Sequence, residues 1–248
     1  MQTSPQIPLP LEPPRADRFS DFVPGPNAAA LAAVRALLDD APEGGGSVLF
    51  LSGPRASGKS HLLNALCHEA RARGLSAFYI APGRLPPEAA AGLRGLGAVD
   101  LVCVDDLDRV AGQAAWERAL FGCFNELRAA GGRLLVSSRE PLSALPLGLP
   151  DLVSRLGWGV RQALQPPGDD DKLEILARRA RAMRIEVPAD VQRYLLRYGR
   201  RDLGSLMDAL ERLREAAFAD KRRITVPLAR EVLGAPGSAD KGQEKQIP

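Results

Sequence analysis

Gly53-Pro54-Arg55-Ala56-Ser57-Gly58-Lys59-Ser60 satisfies the pattern G-x-x-x-x-G-K-[ST] at every fixed position. The run before it, Val48-Leu49-Phe50-Leu51, is apolar and strand-like. Over residues 61–73 the apolar positions Leu62, Leu63, Leu66 and Ala70 recur at helical spacing. The octapeptide therefore stands between a strand and a helix, the context in which it has a physical meaning. Gly53 and Gly58 let backbone N–H groups turn inward around phosphate oxygens, and the positive end of the following helix adds to the field. Lys59 is placed to reach the β- and γ-phosphates, and the Ser60 hydroxyl to ligate Mg²⁺. A loop of this kind binds ADP and ATP alike.

Working outward, further strands are predicted over 76–81, 99–105 and 133–137. They alternate with helices over 28–38, with Asn27 as N-cap, and over 114–130. Alternation of this kind implies an α/β fold, a parallel sheet with helices on both faces. A glycine-rich link over 41–47 leads into the loop strand. Pro166-Pro167 marks a boundary. Beyond it the pattern is purely helical, over 171–183, 189–198, 203–219 and 227–233, the last with Thr225 as N-cap and Pro227 in its first turn. The expected organisation is a disordered tail over 1–20, a P-loop base domain over 21–165, a small all-helical lid over 166–234 and a second tail over 235–248.

Composition bounds the rest. The chain has 248 residues, 45% hydrophobic, 25% charged and only 5% aromatic, so its core is built from Leu, Ala and Val. No stretch approaches 18 apolar residues, which argues against a membrane span. The polar, proline-rich start carries no export signal, so a cytoplasmic protein is expected. Cys67, Cys103 and Cys123 lie inside apolar segments without metal-like spacing and read as buried free thiols. The two histidines, His61 and His68, both fall on the helix after the loop, which argues against a histidine metal site. A net charge of +3 and a pI of about 8.9 are too weak to imply nucleic-acid binding.

Chemistry outside the loop gathers at a few positions. Leu101-Val102-Cys103-Val104-Asp105-Asp106 is an apolar strand ending in two carboxylates. If it lies beside the loop strand, as expected, Asp105 can serve Mg²⁺ through water. Asp106 occupies the place where many ATPases carry a Glu that orients the attacking water. It is one methylene shorter, so slow hydrolysis is expected. Ser137 and Ser138 admit two readings, γ-phosphate contacts or a merely polar strand end. Arg155, just before the lid, can present a permanently charged fork to a neighbouring subunit's nucleotide. Arg201 opens the helix over 203–219 and could fold back on the nucleotide. The N-terminal run Gln6-Ile7-Pro8-Leu9-Pro10-Leu11 reads equally as a groove-docking peptide, stiffened by proline, or as an ordinary proline-rich tail.

Together these residues resemble the Hda-type regulators of the DnaA-like branch of AAA+ proteins, over nearly the whole chain. The landmarks are GKSHLL (58–63), VDD (104–106), GLPDLVSRLGWG (148–159), QPPGDDDKLEIL (165–176), RRDLGSL (200–206) and the N-terminal QIPLPL (6–11). The resemblance implies that residues 53–61 hold the phosphates: Gly53, Pro54, Arg55, Ala56, Ser57, Gly58, Lys59, Ser60 and His61. It implies that Ser60 and Asp105 serve Mg²⁺, that Phe22 and Val23 pack near the adenine, and that Arg201 is a second sensor. Arg155 becomes an arginine finger acting in trans, with Asp106 as the other catalytic group. Gln6, Ile7, Leu9, Pro10 and Leu11 become anchors for the sliding clamp, the beta subunit of DNA polymerase III. The implied activity is stimulation of the ATPase of DnaA by an ADP-bound regulator that itself hydrolyses ATP weakly if at all, which prevents re-initiation. Self-association is left open. Two departures stand out: Arg139-Glu140 where the family places an Asp then an Arg, and Pro8 inside the clamp peptide. DnaA continues past its lid into a DNA-binding domain, and no such module is expected here. A helicase loader sharing the same core is the alternative.

Overall fold

The computed structural model describes residues 17–39, 47–199, 202–219 and 221–234. The clamp-like peptide at 6–11, most of the glycine-rich link, Arg201 and the segment 235–248 lie outside the described residues. Contacts divide the chain between Pro166 and Pro167 into two compact units.

The first unit is a five-stranded sheet of β1 (Ser47–Ser52), β2 (Ala77–Ile80), β3 (Leu101–Val104), β4 (Arg133–Ser138) and β5 (Val160–Ala163), in the order β2-β3-β4-β1-β5. All four pairings are parallel. The inner strands are apolar except at their ends because both faces are covered, and successive residues serve opposite faces. Phe50, Val102, Val104, Leu134 and Val136 pack under α3 (Ala114–Ala130) and α4 (Pro150–Gly157). Leu49, Leu51, Leu101, Cys103 and Leu135 pack under α1 (Ala28–Asp39) and α2 (Lys59–Ala72). Cys67, Cys103 and Cys123 are all buried and free.

Four expectations change. The acidic strand β3 does not lie beside the loop strand. β4 stands between them, pairing Ser52 with Ser138 on one side and Val104 with Val136 on the other. Each crossover is satisfied by a helix over the sheet in either order, so the local pattern leaves strand order free. Next, α4 and β5 were not foreseen. Val160-Arg161-Gln162-Ala163 lacks an apolar run because β5 is an exposed edge strand, paired only to β1. Third, Asn27 is not the N-cap of α1. It closes a 3₁₀ turn over Gly25–Asn27, and its buried side chain grips Gln165, donating Nδ2–H to the carbonyl at 2.9 Å and accepting the amide at 2.8 Å. Finally, residues 17–20, assigned to the tail, belong to the body, with Phe19 buried against α1 and α2.

The second unit comprises α5 (Asp169–Ala182), α6 (Ala189–Tyr198), α7 (Leu203–Ala219) and α8 (Val226–Leu233), closed around Leu176, Val191, Leu195, Leu206, Leu210 and Leu213. α5 begins two residues before its expected start because Asp171 accepts the Gly168 amide at 3.0 Å and Asp169, Asp170 and Asp171 complement the helix dipole. Thr225 caps α8 as its sequence suggests, accepting from Leu228 N at 3.5 Å.

Asn27→Ala removes both bonds to Gln165 and leaves that backbone half-satisfied. It is expected to lower the stability of the first unit by about 1–2 kcal/mol. Urea unfolding followed by circular dichroism reads this directly, and an unchanged midpoint would refute the staple.

Candidate functional site

The loop after β1 turns as its glycines require. Gly53 has φ +153, and a Cβ there would lie 2.6 Å from the Leu164 carbonyl oxygen; at Gly58, φ +99, it would lie 2.7 Å from the Phe22 ring. Only glycine fits either place. Lys59 opens α2 and is buried, its Nζ donating to the Gly53 and Pro54 carbonyls at 2.7 and 2.9 Å. Burial lowers its pKa, opposed by the carboxylates of Asp106, Asp105 and Asp108. Ser57 is 3% exposed, and its hydroxyl finds no partner among the described residues. An orphaned hydroxyl beside a glycine-framed turn and a helix N-terminus fits a phosphate group. Ser60, Pro54 and Arg55 are exposed.

Phe22 and Val23 are buried, the Phe22 ring lying against Gly58 of the loop. His61 faces the same segment: its ring lies 5.6 Å from that of Phe22, Nε2 is 3.0 Å from the Arg18 carbonyl and Nδ1 is 3.7 Å from Asp17. His61 thus fastens residues 17–22 over α2.

At the end of β3, Asp105 is 1% exposed. Tyr79, from the middle of β2, donates to its Oδ2 at 2.7 Å, and the Ser137 hydroxyl at the end of β4 donates to its Oδ1. Burial first, then the Asp105 charge, push the Tyr79 phenol far above its ordinary range. Ser137 Oγ also accepts the Asp106 amide at 3.0 Å. Both serines are engaged within the chain: Ser137 with the acids, and Ser138 by accepting the Glu140 amide at 3.2 Å. Asp106 is held at φ 52, ψ 50, a left-handed conformation unusual for a side-chain-bearing residue, 3.4 Å from Arg109. The departure noted at Arg139 has a partner, since its amide donates to Asp108 at 2.9 Å and its side chain lies 3.6 Å from the same carboxylate.

Arg155 is elsewhere. It sits in the last turn of α4, its guanidinium 4.2 Å from the centroid of Trp158, an indole 57% exposed. Arg128 lies 4.7 Å from the same ring, and Phe124 meets it edge-on at 6.3 Å. Trp158 leads into β5, whose first residue Val160 pairs with Leu49; a Cβ on Gly159 would lie 2.2 Å from the Val48 carbonyl oxygen. The Arg155 fork therefore sits at the edge of the sheet where β1 begins, whereas the P-loop leaves the edge where β1 ends, about 13 Å away along the strand.

Sequence reasoning missed Tyr79, Trp158 and Glu117. Tyr79 reads as one more apolar strand residue. Glu117 carries a signal, because it falls inside the apolar stripe of α3 with Leu120 and Phe124, and a carboxylate there needs partners.

Comparison with known proteins agrees with this fold. Residues 15–163 match the family model described as the bacterial DnaA ATPase domain, and residues 169–233 match that of the Hda lid domain. Domain III of the replication initiation protein DnaA from Thermotoga maritima superposes with a TM-score of 0.76 at 24% identity, covering 90% of this chain and 97% of that one. AMPPCP-bound DnaA from Aquifex aeolicus gives 0.68 at 20% identity, covering 84% of this chain and 68% of that one. The RuvB Holliday junction branch migration motor of Thermotoga maritima gives 0.65 at 18% identity, covering 88% and 71%. The chain belongs to the bacterial DnaA ATPase domain family, with an AAA+ fold followed by an Hda-type lid. No described helix is long and apolar enough to cross a membrane.

Burial, together with the Asp105 and Asp108 charges, holds the Asp106 carboxyl above its usual value of 3.8, against the pull of Arg109 and Lys59. An acid raised in the folded state gives up stability as pH climbs from its unfolded value through the folded one. Asp106→Asn removes that charge and tolerates a positive φ. Measured by calorimetry without nucleotide, its Tm should exceed the parent's at pH 7, with the gap closing toward pH 4. A Tm at or below the parent's at pH 7 would contradict this.

Proposed function

We propose that this member of the DnaA ATPase domain family is a nucleotide-bound regulator of replication initiation, which stimulates hydrolysis of the ATP held by DnaA. In this reading residues 53–60 cradle the phosphates of ADP, the Ser57 hydroxyl and Lys59 meet their oxygens, and Phe22 and Val23 border the base. Ser60 would hold Mg²⁺, with Asp105 acting through water, and the ion would offset charge on the phosphate oxygens. The peptide Gln6–Leu11 docks on the sliding clamp, so that Arg155 meets DnaA where the clamp sits on DNA. The working compartment is the cytoplasm.

The observation that carries the reading is the placement of Arg155. Its helix ends where β5 begins opposite Leu49, while the chain's own P-loop follows the end of β1, which favours a phosphate held by a second chain. Arginine also suits that task better than lysine would, because its planar fork carries a permanent charge for transferring phosphoryl oxygens. The succession of a DnaA-type ATPase domain and an Hda-type lid supports DnaA as that second chain. The internal acids support a restrained hydrolytic activity of this chain's own: Asp105 is engaged through both oxygens, and Asp106 is a short carboxylate in a constrained turn.

Arg155→Ala should leave nucleotide affinity within about twofold and reduce stimulated DnaA hydrolysis by about 10³-fold or more. Release of phosphate from DnaA preloaded with labelled ATP, in the presence of clamp on DNA, measures this; full stimulation by the variant would end the finger role. Deletion of residues 1–11 should abolish retention on immobilised clamp and leave Tm unchanged. Equal retention of parent and truncated chain would reject the peptide as the anchor.

A further inference from the structure

Glu117 is a buried carboxylate that neither the nucleotide nor the partner explains. It is 3% exposed, lies in the first turn of α3 and makes no ion pair among the described residues. Its oxygens instead collect backbone amides from two separate segments. Gly112 donates at 2.7 Å and Gly148 at 3.1 Å to Oε1, and Leu149 donates at 2.8 Å to Oε2. Leu149 is the N-cap of α4 and offers no capping side chain of its own. The amide of an N-cap residue has no partner within its helix, and a carboxylate that accepts it also meets the positive pole of the dipole. Glu117 therefore caps α4 from a neighbouring helix. The other amide, Gly112, ends the loop that begins at Asp106 and passes through the 3₁₀ turn Leu107–Arg109.

α3 and α4 run side by side. Glu117 holds the start of α4, and Phe124 and Arg128 meet its far end at Arg155 and Trp158. Arg155 stands six residues after the capped position, about 9 Å along the helix axis. A tilt of about 10° at the cap therefore moves the base of Arg155 by about 1.5 Å. Misplacement of a positioning group by about 1 Å can lower a rate by about 10²-fold. We infer that Glu117 is a positioning residue for Arg155: by gathering the amides of Gly148 and Leu149 it fixes the angle of α4, and through Gly112 it refers that angle to the loop carrying Asp106. This rests on Arg155 acting as the finger.

The test uses the full chain with DnaA, clamp and DNA. Glu117→Gln keeps the shape but turns an N–H toward amides that need an acceptor. Glu117→Asp keeps the charge but falls one methylene short, and serves as the second variant should the first fail to fold. For a variant that is folded by circular dichroism and binds nucleotide within twofold of the parent, the maximal stimulated rate should fall by about 10- to 100-fold. The concentration of chain giving half-maximal stimulation should change less than threefold. A variant that merely lost stability would instead need more chain and reach the same maximum. A maximal rate within twofold of the parent in folded Glu117→Gln or Glu117→Asp, while Arg155→Ala is inactive, overturns this inference alone. Full stimulation by Arg155→Ala removes the finger reading and this inference with it.

Discussion

The C-terminal edge of the sheet depends on keeping one carboxylate, that of Asp105, buried and satisfied. An unpaired charge at that depth would be prohibitive. Two hydroxyls from two other strands meet it, Tyr79 on β2 and Ser137 on β4, and the Ser137 oxygen passes the connection on to the Asp106 amide. This network exists only because β4 lies between β3 and β1. With the acidic strand next to the loop strand, Ser137 would have no carboxylate to hold, and the turn at Asp106 would lose its tether. Strand order thus decides which way Asp106 faces, and with it the field around Lys59.

That field is a balance of opposed charges rather than a basic patch. Burial discourages the Lys59 charge while Asp106, Asp105 and Asp108 restore it. Arg109 and Arg139 in turn offset Asp106 and Asp108. An anion at such a site would meet backbone amides and one ammonium held close to it, in a setting of reduced dielectric.

Much of this was legible in the sequence. The P-loop pattern fixed strand, turn and helix together, and the boundary of the helical unit was marked by Pro166-Pro167. α3, α6 and α7 were read to the residue because their apolar stripes are long and regular. What escaped reading depends on pairing across distance. β5 has no period of its own and is a strand only because β1 offers an edge. Asn27 looks like a cap because it precedes an apolar helix, yet its partner, Gln165, is 138 residues away. Tyr79 and Glu117 are ordinary residues made functional candidates by what lies opposite them. Sequence spacing reports periodicity along one element; it carries no record of which strand end faces which.

Arg155 shows what that spatial information adds. Its charge and its neighbourhood in sequence made it a candidate, but its direction comes from α4, which runs along one face of the sheet and ends beside the start of β1. The two ends of that helix are held unequally. At its start, Glu117 accepts amides in a buried site, where charge-assisted hydrogen bonds are strong. At its tip the guanidinium rests on an exposed indole, a contact worth about 0.5–1 kcal/mol. A finger of the kind proposed for Arg155 needs its base fixed and its tip lightly held. A firm contact at the tip would have to be broken on every encounter, and a loose base would scatter the fork over several positions. Glu117 serves the first need and Trp158 the second, the indole covering one side of the guanidinium while leaving only about 1 kcal/mol to surrender when a stronger anion is presented.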